Sequence, residues 1–441
     1  MVKNRVLAGY CLTFFLCLIT GIKISSGSEG GLPGAFLNYG AGPRSLGIGK
    51  AFAAVADDAQ AVYFNPGGLF QLNSHEILLA HSQLYGARME YIAYTVPTKE
   101  FGAFGVSILN YGAEGLDSRT PENWRYQPTL FAENAYLVSY AYNPFSFLGF
   151  GGTAKLVTKN LAQYADVGLG VDFGLLARAG NLFRFGLVVQ NAVEPVLTLH
   201  TLSDRYPRTF RFGAAAFLLD DRTVITADVT SPLLRIIDEE DKNPTNRLKL
   251  DLTPHGGVEF QIVPDVIVQR VGIDPNEISL GVGVHKAWGK MALGVDYAFL
   301  LHHRSEFRLA PTHKIGVFIN FAGFRVWIDA QPKLFSPTPA DKNNVLWMDI
   351  RTVTRGPVKR WQIIIKNSFG EVVRSYSGWE KPPPRMWWDG LDDVGRLVSD
   401  GRYYYDIVVV DQHNSSLSFS GFLTTVKTLG PQGKVEIKPG E

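Results

Sequence analysis

Residues 290–300 read KMALGVDYAFL. Met291, Leu293, Val295, Tyr297 and Phe299 fall on one side of an extended chain. Ala292, Gly294, Asp296 and Ala298 fall on the other. A side-chain period of two is the signature of a strand with two unlike faces. Residues 165–176, ADVGLGVDFGLL, repeat it: Val167, Leu169, Val171, Phe173 and Leu175 alternate with Gly168, Gly170, Asp172 and Gly174. The same rhythm runs through Ile278, Leu280, Val282 and Val284, and through Phe210, Phe212, Ala214, Ala216 and Leu218.

Alternation alone also fits a soluble sandwich with one solvated face. Three features favour a membrane barrel. The strands run to about ten residues, the length of a tilted crossing. Their less apolar face mixes Gly and Ala with isolated charges, unlike a richly charged solvated face. Finally, connections alternate in length. PTK before residue 101, NPFS, AGN, DDR, VPDV and WG are short, whereas residues 111–133, 192–207 and 231–249 are long. Short turns on one side and long loops on the other mark outer-membrane barrels. About fourteen strands are expected, from 76–83 to 312–321, including 134–142, 223–230 and 250–261. An even number returns the chain to the side on which it entered, which would be the periplasm.

The start of the chain sets the compartment. Lys3 and Arg5 precede an apolar core of about fifteen residues, VLAGYCLTFFLCLIT, followed by small residues, as in a secretory signal peptide. That core is short for a membrane helix. Residues 1–27 are therefore read as a removable signal. Both cysteines, Cys11 and Cys17, lie within it, so the mature chain carries no cysteine chemistry. Losing Lys3, Arg5 and Lys23 from the 43 basic residues leaves 40 against 41 acidic ones. That balance offers no footprint for nucleic acid.

The domain plan that follows has an N-terminal plug segment at 28–75 and a barrel at 76–330. A proline-bearing linker spans 331–344, a small β-sandwich 345–428 and a polar tail 429–441. The fold class is all-β. Within the plug, AVADDAQAVYFNPGGL (54–69) ends on Asn65-Pro66-Gly67-Gly68, a turn that would send the chain toward the wall. Val62, Tyr63 and Phe64 would present an apolar face inside a mainly polar lumen.

Two resemblances carry functional expectations. The run LGIGKAFAAVADDAQAVYFNPGGL (46–69), with Asp57-Asp58 and Asn65 to Gly68, resembles the N-terminal signature of the PorV/PorQ group of the FadL-like superfamily of outer-membrane barrels. The segments GGVEFQI, VIVQRVGI, ISLGVGVH, LGVDYAF and THKIGVFINF are similar to the closing hairpins of that group in order and spacing. The chain departs from the pattern at Gly67, where many relatives have Ala, and at VQRVG. The resemblance implies an N-terminal hatch formed by Asp57, Asp58, Tyr63, Phe64, Asn65, Pro66, Gly67 and Gly68. It implies a part in protein export or surface attachment of type IX secretion kind; a FadL-like channel for hydrophobic small molecules is the alternative. Implied partners are outer-membrane lipids, envelope or secretion-system proteins and a hydrophobic ligand in the lumen. The second resemblance lies in the last domain. Asn367 to Arg374 with Gly370, then Trp388-Asp389-Gly390 and Asp400-Gly401-Arg402-Tyr403-Tyr404, resembles the FlgD-type Ig-like domain. Here Gly370 and Gly390 are expected at turns, Asp400-Gly401 in a hairpin, and Trp388 and Tyr404 in the core.

Other chemistry is weakly supported. GPRSLGIGKA (42–51) lacks the Ser/Thr after Lys50 and the preceding strand of a phosphate loop. His302 and His303 are adjacent on a strand and point to opposite faces, so they do not share one metal ion. No nucleophile–base arrangement appears. The chain is read as a non-enzyme without metal or cofactor. Asp172, Arg184, Arg211, Asp228, His285, Asp296 and Lys314 fall on the non-aliphatic strand faces and are the lumen-facing candidates. A charge facing lipid at mid-membrane would cost about 2–4 kcal/mol, so the lumen is their expected place. There they can pair across the lumen, bind the plug backbone or contact a ligand; if they hold the plug, Asp172→Ala or Arg211→Ala should raise ion conductance.

Overall fold

The computed structural model describes residues 33–427 except 85, 99–100, 117–118, 120–122, 125–128, 146, 181, 220, 237–246, 289–290, 304–309, 322, 338–343, 355–356 and 412–415. The expected signal peptide and the 429–441 tail lie outside the described residues. The chain divides into two compact units at Ala322/Gly323.

The first unit is a closed antiparallel barrel of fourteen strands. They are β1 His75–Leu84, β2 Ala87–Pro97, β3 Ala103–Leu116, β4 Thr129–Phe145, β5 Leu148–Leu161, β6 Tyr164–Ala179 and β7 Phe183–Val193, then β10 Thr209–Leu218, β11 Thr223–Ile236, β13 Thr253–Val263, β14 Ile267–Ile273, β15 Glu277–Trp288, β16 Met291–His302 and β17 Thr312–Phe321. Each pairs with the next, and β1 pairs with β17 from His75↔Phe321 to Gln83↔His313, which closes the ring. Closure removes every free edge. The count is even, so the end of β17 meets the start of β1.

Several strands outrun the sequence-based spans. β4 begins at Thr129 rather than near 134, and β11 runs to Ile236 rather than 230. Polar or mixed residues there hide the alternation. β11 also gains a short partner, β12 (Arg247–Leu250), through Leu233↔Leu250. The 192–207 excursion folds back as a hairpin of β8 (Val196–Leu199) and β9 (Leu202–Arg205).

The alternating sets segregate as the period of two dictates. Leu79, Ile92, Val106, Tyr140, Phe173, Leu187, Phe212, Val271, Leu280 and Val295 are exposed on the outer surface. A closed barrel with an apolar outside satisfies its own backbone and presents a surface suited to hydrocarbon.

The second unit begins earlier than the sequence suggested. β18 (Arg325–Gln331), expected at the end of the barrel, pairs with β20 (Leu346–Val353) of the second unit. β19 (Leu334–Phe335), expected in the linker, pairs in parallel with β25 (Ser416–Val426). Val326, Ile328 and Ala330 alternate inward just as barrel residues do, so periodicity could not place the boundary. β18, β20 and β23 (Arg385–Trp388) make one sheet. β19, β25, β24 (Gly401–Asp411), β21 (Val358–Asn367) and β22 (Val372–Trp379) make the other. One core lies between them, with Trp388 against Phe335 and Tyr403 at ring separations of 5.9 and 5.4 Å. The Tyr405 hydroxyl accepts from Ile328 N and donates to Ile328 O, both at 3.0 Å, tying β24 to β18.

Tyr404, expected in this core, is instead 39% exposed and packs edge-on to Phe422, whereas Tyr403 and Tyr405 are each 2% exposed. In a three-tyrosine run the period of two buries either the outer pair or the middle one, and here it buries the outer pair. Asp400-Gly401 enters β24 after a loop rather than closing a hairpin, because β23 pairs with β20 and not with β24. Gly370 and Gly390 adopt positive φ, 82° and 74°. At Gly390 a Cβ would also lie 2.6 Å from Pro337. Asp389 Oδ1 accepts from Leu391 N at 3.1 Å and fixes the same turn.

Candidate functional site

Residues 33–72 fold as short helical pieces, Phe36–Tyr39, Pro43–Gly47 and Ala61–Phe64, followed by a 3-10 helix at Pro66–Gln71. Such pieces are too short to be stable alone. What holds them is the wall. Glu76 on β1, Ser139 on β4, Leu175 on β6, Gln190 on β7, Arg211 on β10, Asp228 on β11, Glu259 on β13 and Ser279 on β15 all hydrogen bond to the segment. A chain reached from so many sides of a closed ring lies in its lumen.

Asn65 is the hinge pin. Its Oδ1 accepts from Gly67 N at 3.0 Å and so caps the 3-10 helix, whose first residue is Pro66. Its Nδ2 donates to Ala53 O at 2.7 Å and to Leu175 O at 3.1 Å, joining two parts of the segment to β6. Glycine at 67 has a local reason. A Cβ there would lie 2.8 Å from Gly174 O and 2.9 Å from Leu175 Cα, both backbone. Gly68 is as tight against Ala56 O, at 2.2 Å. The wall answers with glycines of its own: a Cβ at Gly151 would meet Pro66 at 2.2 Å, and one at Gly272 would meet Gly49 N at 1.9 Å. The small residues that alternate along the strands thus mark where the segment runs.

Tyr63 donates its hydroxyl to Leu37 O and packs edge-on against Phe64 at 4.8 Å. Phe64 in turn meets Phe52 at 5.3 Å, and the Arg211 guanidinium lies 5.3 Å over its ring.

Charges link segment and wall in an alternating chain. Arg44 reaches Asp57 at 2.7 Å and Asp58 at 3.0 Å within the segment, and grips Glu259 bidentately at 2.8 and 2.9 Å. Glu259 also accepts from Arg270 at 2.6 Å; Arg270 reaches Asp296 at 2.7 Å, and His285 lies 3.1 Å from Asp296. Arg184 adds a contact to Asp57 at 3.2 Å. A second cluster joins Lys50 to Asp274 and Glu277 at 2.9 and 3.1 Å. In a third, Asp228 Oδ2 accepts from Phe52 N and Ala53 N at 3.0 and 2.9 Å, and Arg211 donates to Lys50 O at 2.8 Å. Pairing of this kind is what allows charges to be buried.

Of the lumen-facing candidates, Arg184, Arg211 and Asp228 bind the segment directly. His285 and Asp296 act through Arg270. Asp172 pairs instead with Lys155 at 2.7 Å and with Asn191 N at 2.6 Å, all on the wall. Lys314 is buried, and its ammonium has no hydrogen-bond partner among the described residues. Sequence reasoning missed Arg44, Lys50, Glu259 and Arg270. Glu259 and Arg270 were within reach, because each shares a strand face with a glycine, Gly257 and Gly272, while Val258 and Val271 point outward. Arg44 and Lys50 sit in a segment with no period to read.

The lumen carries an apolar patch beside its polar and charged residues. Leu78, Met89, Tyr91, Leu109, Leu137, Val157, Leu176 and Leu300 on the wall form one buried cluster with Phe36, Leu37, Phe52, Phe64 and Phe70 of the segment. The clearest alternating strands, β6 and β16, carry Gly and Asp inward. Strands with apolar residues on both faces, such as β1 with Leu78 inward and Leu79 outward, do not show in sequence which face lines the lumen. A gap of about 10 Å³ between segment and wall, lined by Leu37, Tyr63, Leu137, Lys155 and Asp172, has room for roughly one water.

No family model matches this chain, and no curated protein does. Solved structures that resemble it include the Pseudomonas putida toluene transporter TodX, at 15% identity and TM-score 0.44, covering 64% of this chain and 97% of that one. The CymD monoaromatic hydrocarbon channel is 15% identical with TM-score 0.45, covering 64% and 97%. A Pseudomonas aeruginosa FadL homologue is 11% identical with TM-score 0.43, covering 64% and 98%.

Proposed function

We propose that this chain is a FadL-like channel of the outer membrane that admits hydrophobic small molecules, with residues 33–72 as its hatch. The observation that carries this reading is the continuous apolar surface shared by the inner wall and the segment. Among the polar and charged residues of the lumen, this apolar patch is what a small apolar solute would pack against. The segment packs to within about one water of the wall at Tyr63 and Leu137, so passage requires it to yield. Lys314, buried with Ser82 as its neighbour across the β1–β17 ladder, would receive the polar end of such a molecule.

The export role that the N-terminal signature put first has only that signature behind it, whereas the lumen chemistry answers to a small apolar solute. The location rests on the signal-like N-terminus together with the apolar outer surface. The second unit is read as a FlgD-type Ig-like module. We place it in the periplasm, a reading supported by an exported N-terminus that enters the barrel on the side where an even number of strands returns the chain. The test compares outer membranes with and without the full chain. Faster uptake of pyrene with unchanged glucose flux is expected. Unchanged pyrene uptake, or recovery of secretion proteins by crosslinking with no lumen ligand, would overturn the reading.

A further inference from the structure

The three-stranded sheet of the second unit has an outer face that its own core does not explain. Along β20, Leu346, Met348 and Ile350 point into the core, while Trp347, Asp349 and Arg351 point outward. On β23, Trp388 is buried while Trp387 and Arg385 face out. Register places Trp347 opposite Trp387 and Asp349 opposite Arg385. It places Gln331 of β18 on the other side of Trp347. Trp347 and Trp387 are 47% and 53% exposed, on adjacent strands at the open edge. Directly opposed residues have Cβ atoms about 4.5–5.5 Å apart, so the two exposed indoles rise from neighbouring positions on one face. Its rim is ordered: Arg385 holds Asp349 bidentately at 2.6 and 3.1 Å, and its guanidinium lies 5.8 Å over the Trp347 ring.

Paired large aromatics left in solvent mark an interaction site. We infer that this face binds a glycan chain, and specifically a glycan strand of the cell wall. A pyranose ring has an apolar C–H face that stacks on an indole, and a belt of hydroxyls that needs donors and acceptors at the edge. Asp349, Arg385 and Gln331 supply both. Charge supports the same occupant. Among the described side chains of this face, the carboxylates of Asp329 and Asp349 offset the guanidiniums of Arg351 and Arg385, which suits an occupant without net charge. Nucleic acid or an anionic bilayer would call for net positive charge. The choice of the cell wall as source rests on the periplasmic placement proposed above; binding itself does not depend on how the barrel works, and the assay is independent of both.

The test uses the full chain in detergent micelles, cosedimented with purified cell-wall sacculi and competed with an N-acetylglucosamine pentamer. Wild type should cosediment and be displaced by the pentamer. Replacing both tryptophans, Trp347→Ala with Trp387→Ala, should weaken binding by at least about tenfold, a loss of roughly 1.4 kcal/mol. Trp379→Ala, which removes an exposed indole on the other sheet, should leave binding unchanged. An unchanged near-UV dichroism band from the buried Trp388 would show that the double variant is folded. The inference fails if wild type does not cosediment, if the pentamer does not compete, or if the folded double variant binds as well as wild type. It also fails if the tryptophans instead mediate dimerisation or binding to anionic vesicles.

Discussion

Asp228→Ala should loosen the segment at residues 33–72 while sparing the barrel. Asp228 lies on β11, and one carboxylate oxygen accepts from both Phe52 N and Ala53 N. Both of those residues are fully buried, so water does not replace the lost acceptor. A hydrogen bond to a charged group contributes about 1.5–3 kcal/mol, so losing two costs about 3–6 kcal/mol locally. Each 1.4 kcal/mol is tenfold in an equilibrium constant, so opening of the 50–56 stretch should rise by at least about 100-fold. Hydrogen exchange of the full chain in nanodiscs reads this directly, as faster amide exchange at Phe52 and Ala53 with little change in the β-ladder amides. Asp228→Asn retains a neutral oxygen and should show roughly half the effect in free energy. Exchange at Phe52 and Ala53 within about threefold of wild type would refute the reasoning, since that factor is below 1 kcal/mol.

A side chain larger than hydrogen at Gly272 collides with backbone at Gly49, so Gly272→Leu should displace the segment and make Arg44 and Lys50 new trypsin sites in folded protein. Arg44→Ala removes the cation shared by Asp57, Asp58 and Glu259, leaving Asp57 to Arg184 and Glu259 to Arg270, and breaking a buried pair costs about 3–5 kcal/mol; it should raise ion conductance in planar bilayers, as should Arg211→Ala. Asp172→Ala should not, because its partners are all on the wall. Lys314→Met removes a buried ammonium with no hydrogen-bond partner among the described residues; it should raise the thermal midpoint, the gain being at least about 1 kcal/mol, and should weaken binding of apolar carboxylates relative to pyrene. In the second unit, Tyr404→Phe should change stability by less than about 0.5 kcal/mol, while Tyr405→Phe loses both bonds to Ile328. Burial raises the Tyr405 hydroxyl above its ordinary value. The folded state therefore holds that proton more tightly, and its stabilising contribution is fully present below about pH 10 and is lost as pH rises from there through the higher folded-state value. Denaturant melts of the two variants from pH 8 to about pH 11 would show the difference.

The barrel was legible wherever the two strand faces differ in kind. Residues 165–176 and 290–300 expose aliphatics to one side and Gly and Asp to the other, and no packing detail is needed to read that. β1 was legible as a strand but not as a lumen wall, because Leu78 and Leu79 look alike in sequence and part only when the ring closes. The strand at Arg325–Gln331 alternates as well as any barrel strand, and only its pairing with Leu346–Val353 assigns it to the second unit. At the site, Asn65 to Gly68 was legible as a turn. Its partners, Ala53 O and Leu175 O, belong to long-range packing that no local pattern encodes. Tyr404 shows the finest limit: in a run of three tyrosines a single residue of register decides which are buried.

The most direct test joins the segment to the wall. Ala53 lies in the segment and Gly213 on β10, and a Cβ built at Gly213 falls 3.0 Å from that of Ala53, so a shift of about half an ångström brings the pair to the roughly 3.5–4.5 Å a disulfide spans. The double variant Ala53→Cys, Gly213→Cys would be oxidised in intact outer membranes, mapped by mass spectrometry, and assayed for pyrene uptake. The account predicts a near-complete crosslink that blocks uptake, with uptake restored by reductant. Failure of the crosslink to form would place the segment elsewhere. A formed crosslink with uptake unchanged would contradict the claim that apolar solutes pass by displacing it.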